Sequence, residues 1–155
     1  MAPASPAPSG ASSVSWTISF VIAVPTCTII LPRHGPLERL LRDAGATVAV
    51  LPFSWWCSSD GTTQEALTSA LSADVPAFFC DVLPFVKSID PDVIVTQTIV
   101  IPWGAAAAAA LSKPHIWSVC EYGELDHGLQ FVEPVEKIAA DIQTGSDFVF
   151  LPLTT

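Results

Sequence analysis

The chain has 155 residues, and this length predicts one domain that can bury a substantial hydrophobic core. Half of the residues are hydrophobic, only 14% are charged, and the formal net charge is −9. An acidic chain without a basic face cannot neutralise phosphates, so nucleic acid is excluded as a partner, while the shortage of charge favours buried parallel strands or a surface that another domain or a membrane covers.

The amino-terminal region divides into two parts. Residues 1–15 are dominated by Ala, Pro and Ser and are expected to form a disordered leader, so that the folded domain comprises residues 16–155. Residues 14–31, "VSWTISFVIAVPTCTIIL", are uncharged and mostly apolar. They fit one or two buried strands or, alternatively, a membrane anchor, although Pro25 and several Ser and Thr weaken the anchor.

Helix-like and strand-like patterns alternate beyond residue 31. Amphipathic spacing, capping residues, the helix propensity of alanine and Gly or Pro boundaries predict helices over residues 35–45, 62–72, 76–90, 104–113 and 133–145. Short β-branched or apolar runs predict strands over residues 46–53, 91–98, 115–120 and 147–153. This order predicts an α/β fold, a Rossmann-like parallel sheet with helices on both faces.

Polar side chains follow the ends of two of these strands. Gln97 and Thr98 end one predicted strand, and Cys120 ends the next. Ligands of open α/β sheets bind at the carboxyl ends of strands, which makes these residues candidates for substrate binding. The segment after Cys120 holds the densest group of titratable side chains: Glu121, Glu124, Asp126 and His127. They indicate either a site that deprotonates a hydroxyl group or a solvated acidic loop.

No metal site is expected. The spacing of Cys120, Glu121, Asp126 and His127 matches neither HExxH nor a Cys-His zinc site. The four cysteines, at positions 27, 57, 80 and 120, contain no CxxC pair, so we expect buried thiols. His115 follows Pro114 in an apolar strand, where a histidine is more often a hydrogen-bonded core residue than a catalyst.

Several segments together resemble the amino-terminal, acceptor-side domain of family 4 glycosyltransferases, which have the GT-B architecture of two Rossmann-like domains. The resemblance rests on "PRHGPLERLLRDAGATVAVLPFSWW", "PDVIVTQTIVIPWGAAAAAALSKPHIW" and "EYGELDHGLQF". It implies a partial domain, truncated at both ends, from an enzyme that moves a sugar from a nucleotide-sugar donor to a hydroxyl acceptor. It also implies a cytoplasmic location, with association at the inner face of the membrane, and no cofactor.

The resemblance implies roles for individual residues. Glu121 and His127 become candidate catalytic residues, while Gly35, Pro36, Gln97, Thr98, Cys120 and Glu124 become candidate substrate-binding residues. Cys120 stands where many family members carry a basic residue, and a thiol cannot neutralise a diphosphate. Gly35 and Pro36 also fit a plain helix start, and Trp55 and Trp56 fit either stacking on a sugar ring or core packing.

The isolated chain is expected to be inactive, because the donor domain would have to come from a complementary chain. Two alternatives come from other functional classes. One is a non-catalytic Rossmann-like interaction module, and the other is a small protein anchored in a membrane by residues 14–31.

Overall fold

The computed structural model describes residues 26–120 and 128–151. Its elements in chain order are β1 (Thr28–Leu31), α1 (Pro36–Asp43), β2 (Thr47–Val50), β3 (Cys57–Ser58), α2 (Gln64–Ala77), a π-helical turn (Phe78–Val82), α3 (Leu83–Ile89), β4 (Ile94–Gln97), α4 (Trp103–Leu111), β5 (His115–Ser118), β6 (Gln130–Phe131), α5 (Val135–Thr144) and β7 (Phe148–Phe150). Each helix and strand predicted beyond residue 31 therefore has a counterpart in this order.

The strands form three small sheets. β1 pairs in parallel with β2, and β4, β5 and β7 form a second parallel sheet in the order β4-β5-β7. β3 and β6 form a two-residue antiparallel pair that the sequence did not predict. The chain is thus a mixed α/β protein with parallel sheets, as expected, although the described strands do not join into one sheet.

Helices cover one face of the three-stranded sheet. Thr96, His115 and Trp117 point to the covered face and are at most 2% exposed. Val95, Phe148 and Phe150 alternate with them and are 54%, 65% and 61% exposed. For the described part of the chain, the expectation of helices on both faces is therefore wrong at this sheet.

Helix α4 lies unusually close to strand β4. A Cβ atom added to Gly104 would stand 2.0 Å from Oγ1 of Thr96, so only glycine permits this approach. Ala107 and Ala108, one turn further along, are each 2% exposed. The small side chains of the alanine run therefore allow α4 to pack closely on the sheet.

Residues 64–89 form one continuous helical run instead of the two separate helices that were predicted. Its N-cap is Thr63, whose side chain accepts a hydrogen bond from the Ala66 amide at 3.3 Å. The π-helical turn joins α2 to α3 between Pro76 and Pro84, each of which lacks one backbone donor. The helix therefore continues where proline predicted a break.

The same run, Gln64–Ile89, is long and apolar enough to cross a membrane by length and composition. Phe78, Val82 and Val86 in it are buried in one cluster with Trp103 and Ala107 of α4, whereas only 17% of the apolar window of the run is buried. A second cluster surrounds Trp117 and includes the buried side chains of Trp56, Phe131, Ile138 and Ile142.

Two predictions near the amino terminus and at the cysteines need correction. Residues 28–31 form strand β1, which contradicts a membrane helix through all of residues 14–31. Residues 14–25, like the leader, lie outside the described residues. Among the four cysteines, only Cys57 is buried, whereas Cys27, Cys80 and Cys120 are exposed, so the expectation of buried thiols is wrong for these three.

Candidate functional site

The carboxyl ends of β4 and β5 lie side by side, as the sequence predicted. Gln97 and Ser118 are register partners in this parallel pair. Two residues beyond Ser118, the Cys120 thiol accepts a hydrogen bond from Nε2 of Gln97. Both side chains are exposed, so the structure brings two of the predicted substrate-binding residues together at an accessible sheet edge.

The chain turns sharply at the next predicted residue, Thr98. Its φ angle is 85°, in the left-handed region that a β-branched residue rarely adopts. The Thr98 amide donates to the carbonyl of Ser118 at 2.7 Å, and the Trp117 indole donates to the Thr98 carbonyl at 2.8 Å. The surrounding structure thus holds a strained turn, a feature that clusters at functional sites.

Two stacked tryptophans brace this turn from the covered side. Trp56 stacks on Trp117 with 5.8 Å between ring centroids, and its indole donates to the Ile99 carbonyl at 2.6 Å. The Trp56 amide also donates to the carbonyl of Val100 at 3.1 Å. Trp56 is 7% exposed and is therefore a packing residue, whereas Trp55 is 49% exposed and open to a ligand.

Sequence reasoning missed the bracing role of Trp56 and Trp117. The tryptophans themselves were a usable signal, because a buried indole N–H needs a hydrogen-bond acceptor. Backbone carbonyls that follow the end of a strand can be such acceptors. The sequence does not say which carbonyls these are, since the two indoles reach the turn across 43 and 19 residues.

Gly35 and Pro36 lie at the start of α1, as predicted. This position by itself does not make them part of a ligand site. Among the described side chains, no hydrogen bond joins either residue to Gln97 or Cys120. In the first turn, Glu38 accepts bonds from His34 and Arg42, and these bonds lower the pKa of its carboxyl group. An ionised carboxylate already occupies the helix start, which disfavours an anionic ligand there.

The predicted catalytic residues Glu121 and His127, together with Glu124, lie outside the described residues. Their roles stay predictions. Among the described residues, no group of three His, Cys, Asp or Glu side chains has the arrangement to hold a metal ion.

A separate buried polar cluster occupies the amino ends of β5 and β7. Nε2 of His115 lies 2.8 Å from Oγ1 of Thr96, and Nδ1 lies 2.8 Å from the Gly145 carbonyl. The Asp147 carboxylate accepts a hydrogen bond from the His115 backbone amide at 2.8 Å. Burial lowers the pKa of the imidazole, so His115 is neutral and hydrogen-bonded, as a core histidine was predicted to be.

The bond to the Gly145 carbonyl requires a proton on Nδ1, and Nε2 then accepts from the Thr96 hydroxyl. This arrangement links β4, β5 and the end of α5 through one ring. It is therefore a structural cluster and supplies no exposed base.

Two shallow concavities lie on the described surface. One, of about 540 Å³, is lined by Gln64, Glu65, Thr68, Ser69, Val132 and Glu133. The other, of about 230 Å³, lies over the His115 cluster and is lined in part by Lys113, Ser146 and Asp147. Neither is lined by Gln97, Thr98 or Cys120.

At the carboxyl ends of β4 and β5, the Gln97 amide and the Cys120 thiol can exchange hydrogen bonds with a hydroxyl group. These two side chains supply no charged base. Comparison with known proteins adds no assignment: no protein-family model, no curated protein and no solved structure matches the chain.

Proposed function

We propose that the chain is the acceptor-side domain of a glycosyltransferase that moves a sugar from a nucleotide-sugar donor to a hydroxyl acceptor. The observation that supports this proposal is the Gln97–Cys120 contact at the carboxyl ends of two neighbouring parallel strands, beside the strained turn at Thr98. This is the place where open parallel sheets bind their ligands.

A Rossmann-like arrangement is part of the proposal. It is supported by the parallel order β4-β5-β7 and by the helices α4 and α5 that lead from one strand to the next. Strand–helix–strand units of this kind build such domains. The small size of the described sheets makes the arrangement a partial one.

In this proposal Gln97 and Cys120 hydrogen-bond an acceptor hydroxyl, and Glu121 or His127 takes its proton. Glu124, Thr98, Gly35 and Pro36 line the acceptor subsite. A general base must lie within hydrogen-bond reach of the proton that it removes, and residues 121–127 leave the strand end directly beside Cys120. The transfer step also requires stabilisation of the departing diphosphate, which the complementary donor domain supplies.

The chain is proposed to act in the cytoplasm, with association at the inner face of the membrane and no cofactor. Its functional partner is a donor domain, which brings the nucleotide-sugar. The isolated chain therefore has no transferase activity.

The test is a transferase assay with radiolabelled UDP-glucose or GDP-mannose and a panel of hydroxyl acceptors. The full chain is measured alone and after mixing with the carboxy-terminal domain of a family 4 glycosyltransferase. We expect no transfer by the chain alone and donor-dependent transfer by the mixture. Transfer by the isolated chain, or none with any donor domain, contradicts the proposal.

A matched pair of variants locates the site in the active mixture. Gln97→Ala removes the amide at the strand end and is expected to lower kcat/KM at least tenfold. Gln143→Ala removes the same group from the exposed surface of α5 and is expected to leave kcat/KM unchanged. Equal effects of the two substitutions would move the acceptor site away from the strand ends.

A second candidate function, a non-catalytic interaction module, is favoured by the uncovered sheet face. Val95, Phe148, Phe150 and Leu151 are 54% to 70% exposed, and contiguous apolar surface of this kind marks binding sites. A stable complex that forms without transferase activity, and that Phe150→Ser disrupts, would favour this module over the glycosyltransferase domain.

A further inference from the structure

The uncovered face of the β4-β5-β7 sheet consists of two rows of side chains. Register partners in a parallel sheet point to the same face. The rows that alternate with the buried side chains are Val95, Ile116 and Phe148, followed by Gln97, Ser118 and Phe150. None of these six residues is charged, although the chain has 15 acidic and 6 basic residues. The described part of this face is therefore an uncharged surface on a strongly acidic protein.

This surface is apolar and accessible. Phe148 is 65% exposed and Phe150 is 61% exposed. At about 200 Å² for an aromatic side chain, these two rings alone present about 250 Å². Val95 and Val93, which are 54% and 43% exposed, raise the apolar area to about 400 Å². A patch of this size on a monomer is often functional, and parallel sheets usually have both faces covered, so we expect a partner on this face.

The charge of the chain indicates which partner fits. Two copies with a net charge of −9 repel each other over most of their surface, and the repulsion is smallest where neither copy carries a charge. A basic partner, in contrast, gains no ion pair from an uncharged face. The exposed leucines of α1 differ in this respect, because Leu37 and Leu40 share their helix with the exposed Arg39 and Asp43. The uncovered face therefore fits a second copy of the chain better than α1 does.

We propose that two copies of the chain associate through the uncovered face. A two-fold axis brings the same surface of each copy into contact. The described apolar side chains then bury about 800 Å² in total, which is below the range of stable specific complexes, so the dimer is weak, with a Kd of about 1–100 µM. Gln97 occupies one corner of the face, so the strand-end site lies at its rim. Self-association requires no donor domain and is independent of transferase activity.

The first test is sedimentation equilibrium of the unmodified full chain between about 1 and 300 µM. We expect the average mass to rise from that of a monomer to that of a dimer. Raising the NaCl concentration from about 0.05 to 0.5 M should tighten the dimer at least about threefold, because salt screens the repulsion between acidic copies and does not weaken apolar contact. A monomer at every concentration overturns the proposal, and so does a dimer that salt weakens.

A matched pair of substitutions locates the interface. Phe150→Ser removes a ring from the uncovered face and is expected to raise the Kd at least tenfold. Phe79→Ser removes a ring that is 58% exposed on the helical run and is expected to leave the Kd unchanged. Phe148→Glu places a carboxylate in the other row and should abolish the dimer. Circular dichroism verifies that each variant is folded. Equal effects of Phe150→Ser and Phe79→Ser overturn the proposal, as does a dimer that tolerates Phe148→Glu.

Methyl NMR spectra distinguish a second copy from other occupants of the face. The signals of Val95 and Ile116 are expected to shift as the concentration rises through the Kd. Constant signals while a dimer forms assign the contact to another surface and overturn the proposal. Nuclear Overhauser effects between these methyl groups and residues 1–25 that persist on dilution overturn it in favour of that segment. Shifts that occur only with vesicles of anionic phospholipid overturn it in favour of a membrane.

Discussion

The two faces of the β4-β5-β7 sheet have opposite environments although the same strands form both. On the covered face Thr96, His115 and Trp117 are almost fully buried, and their polar atoms are hydrogen-bonded. On the uncovered face Phe148 and Phe150 are more than 60% exposed. Apolar composition alone therefore does not tell which face of a strand carries the stability of this domain.

The largest expected difference between the faces comes from truncating an aromatic residue on each. Trp117→Ala should lower the free energy of unfolding by about 3–5 kcal/mol, because it empties a fully buried site and removes the indole partner of the Thr98 carbonyl. Phe150→Ala on the uncovered face should cost less than about 1 kcal/mol. Urea denaturation followed by circular dichroism measures both. Equal losses would mean that the uncovered face is buried in solution.

The close approach of α4 to the covered face gives the next prediction. Gly104→Ala should cost about 1–3 kcal/mol, since its Cβ would collide with Thr96 Oγ1 and force the helix away from β4. Ala109→Ser, on the exposed side of the same helix, is the control and should change stability by less than about 0.5 kcal/mol. Thermal denaturation compares the two variants. A neutral Gly104→Ala would show that the helix does not rest on the sheet.

The covered face should also make stability depend on pH through His115. Burial lowers the pKa of its folded state below the ordinary value of 6.5, so in mildly acidic solution the unfolded chain binds a proton that the folded chain does not. The contribution of His115 is fully present above pH 6.5 and is lost as pH falls below that value.

Urea midpoints measured from pH 7.5 to pH 5 test this sign. We expect the midpoint to fall with pH in the unmodified chain and to fall less in His115→Gln. A midpoint that rises on acidification would contradict burial of a neutral imidazole.

The smallest predicted effect on stability is that of replacing Thr98, the residue that follows strand β4. Thr98→Gly should stabilise the domain by up to about 1 kcal/mol, because glycine adopts φ near 85° without steric cost. In the proposed active mixture the same variant should lower kcat/KM, since a relaxed turn no longer fixes Gln97. Thr98→Val, which keeps the branched side chain, should instead leave stability the same or lower. A loss of stability in Thr98→Gly would show that the turn is not strained.

The sequence predicted the elements more reliably than their lateral arrangement. Amphipathic spacing, helix propensity and Gly or Pro boundaries located α1, α4 and α5, since these signals are local. The two-residue strands β3 and β6 escaped prediction because two residues carry no period. The long helix across Pro76 was missed because packing of Phe78 and Val82 against α4 outweighs the loss of one backbone donor.

For the candidate site, the sequence by itself determined that polar residues follow two neighbouring strands, and Gln97 and Cys120 do meet there. Only the tertiary structure decided that Thr98 is held at a positive φ, that Trp56 and Trp117 brace it, and that one sheet face is open. Alternation along a strand says which side chains share a face, but contacts between residues distant in the chain decide which face is covered. Hydrogen bonds between such residues likewise fix the turn.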